Sequence, residues 1–205
     1  MTAALSRAST LAVYVCAFLV GSVLMGFEML GSRYLFPYFG GGIGTWASLI
    51  STVLCALAIG YFIGSALVDR KPSARAMGGM ILVAALYLAL VPATADQIMS
   101  EILESMGDGA SATLLASTVL LLVPLTLLGT FSPIAVSLLT RSAQEAGRVA
   151  GLVYGVSTIG NVVGTLFTTF TLIPAIGSRA ITYWFAAVLA VCAGILFIPF
   201  DKKPH

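Results

Sequence analysis

The chain has 205 residues, 59% of them hydrophobic and 9% charged, with a formal net charge of +2. Its mean hydropathy is +1.05. A soluble domain of this length cannot hide so much apolar surface, so the composition excludes a water-soluble globular fold and predicts an integral membrane protein. The small net charge points to no particular partner, and nucleic acid is not expected.

Six apolar segments follow one another at 10–30, 46–68, 77–93, 112–140, 149–173 and 180–200. Each has about the 20 residues that a helix needs to cross roughly 30 Å of hydrocarbon. The basic residues are sorted between alternate gaps. Arg7, then Arg70, Lys71 and Arg75, then Arg141 and Arg148, then Lys202 and Lys203 fall on one side; only Arg33 and Arg179 fall on the other. By the positive-inside rule both termini are cytoplasmic, in a membrane crossed several times. The first apolar run outlasts a signal-peptide core, and Gly31-Ser32-Arg33 is a poor cleavage site, so no cleaved leader is expected. Residues 1–205 read as a single transmembrane domain with the lipid bilayer as its main partner. The gap at 95–110 carries four acids and no Lys or Arg, as suits an outer loop; its Ile98, Met99, Ile102, Leu103 and Met106 recur at helical spacing. That pattern predicts a short amphipathic helix on the outer surface.

Along the chain, the first polar group of note is Glu28, inside the first apolar run and five residues before Arg33. A carboxylate in hydrocarbon is costly and usually faces a polar cavity or a basic partner. One reading makes Glu28 a group that binds a cation or proton. The other places it near the outer interface, beside the aromatic belt of Tyr34, Tyr38 and Trp46, where water reaches it. In the second segment Gly60 and Gly64 allow close helix approach, and Asp69 and Arg70 lie at its cytoplasmic end. Small residues, an acid and basic residues in a short cytoplasmic loop resemble the signature between the second and third helices of the major facilitator superfamily. In that family the loop stabilises one state of an alternating-access transporter; the plain alternative is ordinary positive-inside anchoring.

The fourth segment is interrupted by Pro124, Gly129 and Pro133, which predict a kink or hinge. The fifth carries two GxxxG pairs, Gly151/Gly155 and Gly160/Gly164, with Tyr154, Ser157, Asn161, Thr165 and Thr168. Its polar face either packs against neighbouring helices or lines a substrate path. Cys16, Cys55 and Cys192 lie inside spans without metal-ligand spacing and read as small apolar residues. The only histidine is His205, and no P-loop, HExxH or Ser/His/Asp set is present. Neither catalysis nor a cofactor or bound metal is expected of this chain.

Three stretches together resemble one family. They are Glu28…Arg33…Pro37-Tyr38-Phe39-Gly40, Gly60…Gly64…Asp69-Arg70, and Gly151-Leu152-Val153-Tyr154…Gly160-Asn161…Gly164 leading to Pro174-Ala175-Ile176-Gly177-Ser178-Arg179. They resemble the membrane domain of the fused transporter/spermidine-synthase-like proteins of bacteria, without the soluble aminopropyltransferase-like domain. The resemblance implies an all-α bundle of six transmembrane helices in a three-plus-three arrangement, like half of a major facilitator transporter. It implies a protein of the bacterial inner membrane, transporter-like, for polyamines or other small organic cations; the helix count and the glycine-rich fifth span, which leave one face of such a half open, predict a homodimer. Glu28, Arg33, Tyr154 and Asn161 are the expected substrate-binding residues; Asp69, Arg70 and the glycines of the second and fifth helices are expected to shape packing or gating. The alternatives are a non-catalytic subunit of a larger membrane complex, or a membrane anchor for a separate aminopropyltransferase-like enzyme.

Overall fold

The computed structural model describes residues 6–70 and 73–198, the side chains of Asp69 and Arg70 excepted. Every element among them is helical: α1 (Arg7–Phe39), α2 (Ile43–Arg70), α3 (Ala74–Met106), α4 (Ala110–Gly129), α5 (Phe131–Leu139), α6 (Ala143–Phe167), a π-helical turn at Thr168–Leu172, and α7 (Ile173–Phe197). Among the described residues five continuous helical stretches are long and apolar enough to cross a membrane: α1, α2, α3, the α4–α5 rod and the α6–α7 run.

The last of these covers 55 residues. Held straight it would measure about 80 Å, more than twice the hydrocarbon thickness. It is not straight. Pro174 has no N–H, and just before it the helix widens so that Ile173 N–H donates to the carbonyl of Thr168, five residues back. At Gly177 the backbone then leaves helical geometry, with φ 70° and ψ 156°. That region of backbone space is essentially reserved for glycine. Gly40 and Gly107, which end α1 and α3, adopt the same positive φ. At the opposite ends of the helices the turns enter through Ser6, Ser73 and Ser142; of these, Ser6 caps with its side chain, accepting from Ser9 N–H.

The chain directions follow from which residues meet. Phe18 and Ser22 of α1 meet Gly160 and Gly164 of α6, so these helices run parallel. Cys16 lies by Cys192, Gly26 by Phe185, and Tyr34 bonds to Thr182, so α7 runs antiparallel to α1. The chain therefore reverses at Gly177, and α6 and α7 do not pack on each other. Thr52 bonds to Ser117, and Gly60 lies on Thr126 and Gly129, so α2 and α4 are also parallel. The principal pairs are α1 with α6, α2 with α4, and α3 with α7. The core is built from Phe27, Leu30, Leu35, Leu49, Met77, Leu88, Leu121, Leu125 and Phe131, all with under 2% of their surface exposed.

Two ends result. Arg7, Arg75, Arg141 and Arg148 collect at one, Arg33 and Arg179 with Asp96, Glu101, Glu104 and Asp108 at the other. The segment 95–110 is not a separate surface helix. It is the continuation of α3 as far as Met106, and Ala95, Met99 and Ile102 are buried against the bundle. The same apolar spacing that would seat it on a membrane surface instead lengthens the protein core. Its Asp96 forms an ion pair with Arg179 at the start of α7.

Candidate functional site

Glu28 lies on the face of α1 that also carries Leu24, Gly31 and Leu35, all buried. A side chain at Gly31 would meet Leu49 of α2 and Leu121 of α4, so this face looks into the interior of the bundle. Glu28 itself is 7% exposed, and among the described residues it forms no ion pair. Arg33, the partner suggested by sequence, is not used. Five residues turn the helix through about 500°, which sets the two side chains on different faces.

Arg33 opens instead into a cleft of about 320 Å³ between the end of α1, the start of α2 and the π-turn. Ser32, Thr45 and Thr169 also line it, with Phe36 and Trp46 at its sides. The hydroxyls of Ser32 and Thr45 donate to the carbonyls of Met29 and Gly40. The Thr169 hydroxyl is buried and has no hydrogen-bond partner.

A second cleft, of about 620 Å³, lies at the opposite end, between the end of α2, α5 and the start of α6. Val68, Pro133, Ser137, Thr140 and Tyr154 line it. Tyr154 also meets Tyr61 of α2 edge to face, with ring centroids 6.3 Å apart. Asn161 stands between the clefts on α6, where a side chain at Gly21 of α1 would strike its Oδ1 at 2.9 Å. That oxygen is buried without a hydrogen-bond partner.

The four predicted binding residues are thus not one site. Because α1 and α6 run parallel, their spacing along the bundle can be read from helix rise. Tyr154 lies about 10 Å from Asn161, Glu28 about 10 Å beyond Asn161, and Arg33 about 7 Å further. They string along the bundle between its two ends. No protein-family model matches the chain, and no curated protein or solved structure is similar to it. The reading of this site therefore rests on its chemistry.

The glycines divide into two kinds. Gly60 and Gly64 pack on backbone: a Cβ at Gly60 would fall 2.5 Å from the Thr126 carbonyl, and one at Gly64 2.8 Å from that of Thr130. Gly160 and Gly164 do the same against the carbonyls of Phe18 and Ser22. A Cβ at Gly151 or Gly155 would meet nothing within 4 Å among the described residues. So of the two GxxxG pairs in the fifth apolar segment, only the second holds this fold together. The polar face of α6 is likewise largely packing: Ser157 and Asn161 lie against Gly21 of α1, and Thr168, in the turn that follows, is buried against Gly26.

The side chains of Asp69 and Arg70, expected in a loop network, lie outside the described residues. Sequence reading missed the Tyr34–Thr182 hydrogen bond at 2.9 Å, the Thr52–Ser117 bond at 3.1 Å and the Asp96–Arg179 pair. Each joins helices 65 to 148 residues apart, a separation at which local pattern carries no signal. Among the described residues no group of His, Cys, Asp and Glu is arranged to hold a metal.

Proposed function

We propose that this chain is a transporter-like bundle of six membrane spans, in two inverted sets of three, that binds a small organic cation at Glu28. The observation that carries this reading is Glu28 itself: an acid buried inside an apolar bundle with no basic partner among the described residues. Such a group is expensive unless it serves a ligand or a proton. Polyamines are the substrate class named by the sequence resemblance. Arg33 is excluded from that site on electrostatic grounds, since a guanidinium repels a cationic substrate.

Three further features support the arrangement. The reversal at Gly177 divides the 55-residue run into two antiparallel arms, which makes six spans from five stretches. The second helix packs on the fourth through Gly60 and Gly64, and the fifth span packs on the first through Gly160 and Gly164, each pair against carbonyls four residues apart. Exchanging the first three spans with the last three turns one contact into the other, as inverted repeats require. The same exchange turns the cleft at Arg33 into the cleft at Tyr154, at opposite ends of the bundle. Two clefts at opposite ends of the bundle, with the buried acid at a level between them and lining neither, fit the two-sided access of such a transporter. The end rich in arginine is taken as cytoplasmic, with Asp69 and Arg70 in its first loop.

The faces of α2 and α6 that carry Leu54, Phe62, Leu152 and Val162 remain exposed, and Gly151 and Gly155 stand open beside them. In a homodimer a second copy covers this face. A second reading, a non-catalytic subunit docked on another membrane protein, uses the same surface. Native mass spectrometry after gentle extraction separates the two: a homodimer supports the first, a stoichiometric complex with an unrelated protein the second. The functional test is spermidine binding by isothermal calorimetry. Glu28→Gln should abolish binding while helicity and thermal stability stay at the parent value. Binding that survives the substitution removes Glu28, and with it this reading.

A further inference from the structure

The cleft at Arg33 has chemistry opposite to that of Glu28. Its fixed charge is one guanidinium that is without an ion pair among the described residues. Its second free donor is the Thr169 hydroxyl, buried and unpartnered. The hydroxyls of Ser32 and Thr45 have spent their protons on backbone carbonyls, so toward the cleft they offer only lone pairs. The site thus presents a bidentate cation and a hydroxyl donor next to two acceptors. That set suits a phosphate oxygen pair with a hydroxyl-bearing group attached.

Position narrows the source. Arg33 lies in the last two turns of α1, and α2 starts again at Ile43, so the cleft is at the rim of the apolar bundle. Phe36 is 61% exposed and Trp46 39%, and the remaining lining is apolar. Aromatic rings at this level sit among lipid headgroups. A soluble anion would leave the apolar walls of the cleft wet, whereas a lipid covers them with its glycerol and upper acyl carbons. We propose that this cleft binds an anionic phospholipid, with the phosphate on Arg33 and Thr169 and the hydroxylated headgroup on Ser32 and Thr45. A zwitterionic lipid is disfavoured, because its quaternary or primary ammonium would approach Arg33.

The test uses the full chain in mild detergent with Trp184→Phe, which leaves Trp46 in the cleft as the only tryptophan. Dihexanoyl phosphatidylglycerol, dihexanoyl phosphatidylcholine and inorganic phosphate are titrated below the critical micelle concentrations of the lipids, with Trp46 fluorescence as readout. Phosphatidylglycerol should bind at least about tenfold more tightly than phosphatidylcholine, and Arg33→Gln should remove that preference. Thr169→Val should weaken phosphatidylglycerol by about threefold or more. Arg33 is exposed, so its replacement should leave the thermal stability of the protein unchanged. Equal affinity for the two lipids, or a preference that survives Arg33→Gln, overturns the proposal. So does inorganic phosphate binding as tightly as the lipid, which would assign the cleft to a soluble anion. Spermidine binding by Glu28 is read separately, so either proposal can fail alone.

Discussion

Gly164 and Gly155 belong to one helix and to the same kind of motif, yet their surroundings are opposite. A Cβ at Gly164 would run into the Ser22 carbonyl, which is backbone and cannot swing aside; around Gly155 there is open space. Gly164→Ala should therefore lower unfolding stability by about 1–3 kcal/mol. Gly155→Ala should leave it unchanged or raise it by up to about 1 kcal/mol through helix propensity. Denaturant titration of both variants in mild detergent measures this, and equal losses would refute the assignment of packing to the second pair alone. The GxxxG spacing was legible in sequence, but both pairs have the same period, so only neighbours 142 residues away tell them apart. Glu28 was legible for a different reason: an acid in an apolar run stands out in any single sequence. That it faces the bundle interior, away from Arg33, was not.

At the scale of elements, most helices were visible because uninterrupted apolar runs with flanking charges leave few alternatives. The boundaries were less so. The third apolar segment extends through the expected surface helix to Met106, since amphipathic spacing is the same whether the partner is a membrane surface or a protein core. The reversal after α6 depends on one backbone conformation. Gly177 sits at φ 70° and ψ 156°, where a Cβ is strained whatever space surrounds it. Gly177→Ala should cost about 1–3 kcal/mol. The loss should show as a lower thermal midpoint, and an unchanged midpoint would mean the turn relaxes to another geometry. Among the described residues nothing lies within 4 Å of a Cβ there, so crowding would not explain a loss. The Asp96–Arg179 pair beside this turn is exposed on both sides, and contributes little.

For the whole molecule, the proposed six-span topology makes a prediction that a five-span one does not. Single cysteines at Asp108→Cys and Ser178→Cys, in a background with the native Cys16, Cys55 and Cys192 replaced, should react with an impermeant maleimide added to intact cells. One at Arg148→Cys should react only after the membrane is opened. A fluorescent protein fused at the C-terminus should fold and fluoresce, since it would be cytoplasmic. Labelling of residue 148 from outside, or a dark fusion, would reverse or discard the topology. The two end clefts and the matched glycine contacts arise only from how α1, α2 and α3 face the α4–α5 rod, α6 and α7.

Composition and the order of charges in the sequence were enough to establish an apolar, all-helical chain with basic residues gathered at one end. Those properties are local sums: the length of an apolar run and the sign of the residues beside it do not depend on what the run packs against. The tertiary structure alone decided that α6 lies along α1 and α2 along α4, that one GxxxG pair is buried and the other open, and that Glu28 and Arg33 serve different spaces. In lipid most faces of a helix are apolar whether or not they are packed, so hydrophobic pattern says little about which face meets which neighbour. Close backbone contact makes that choice, and it exists only once the helices have met.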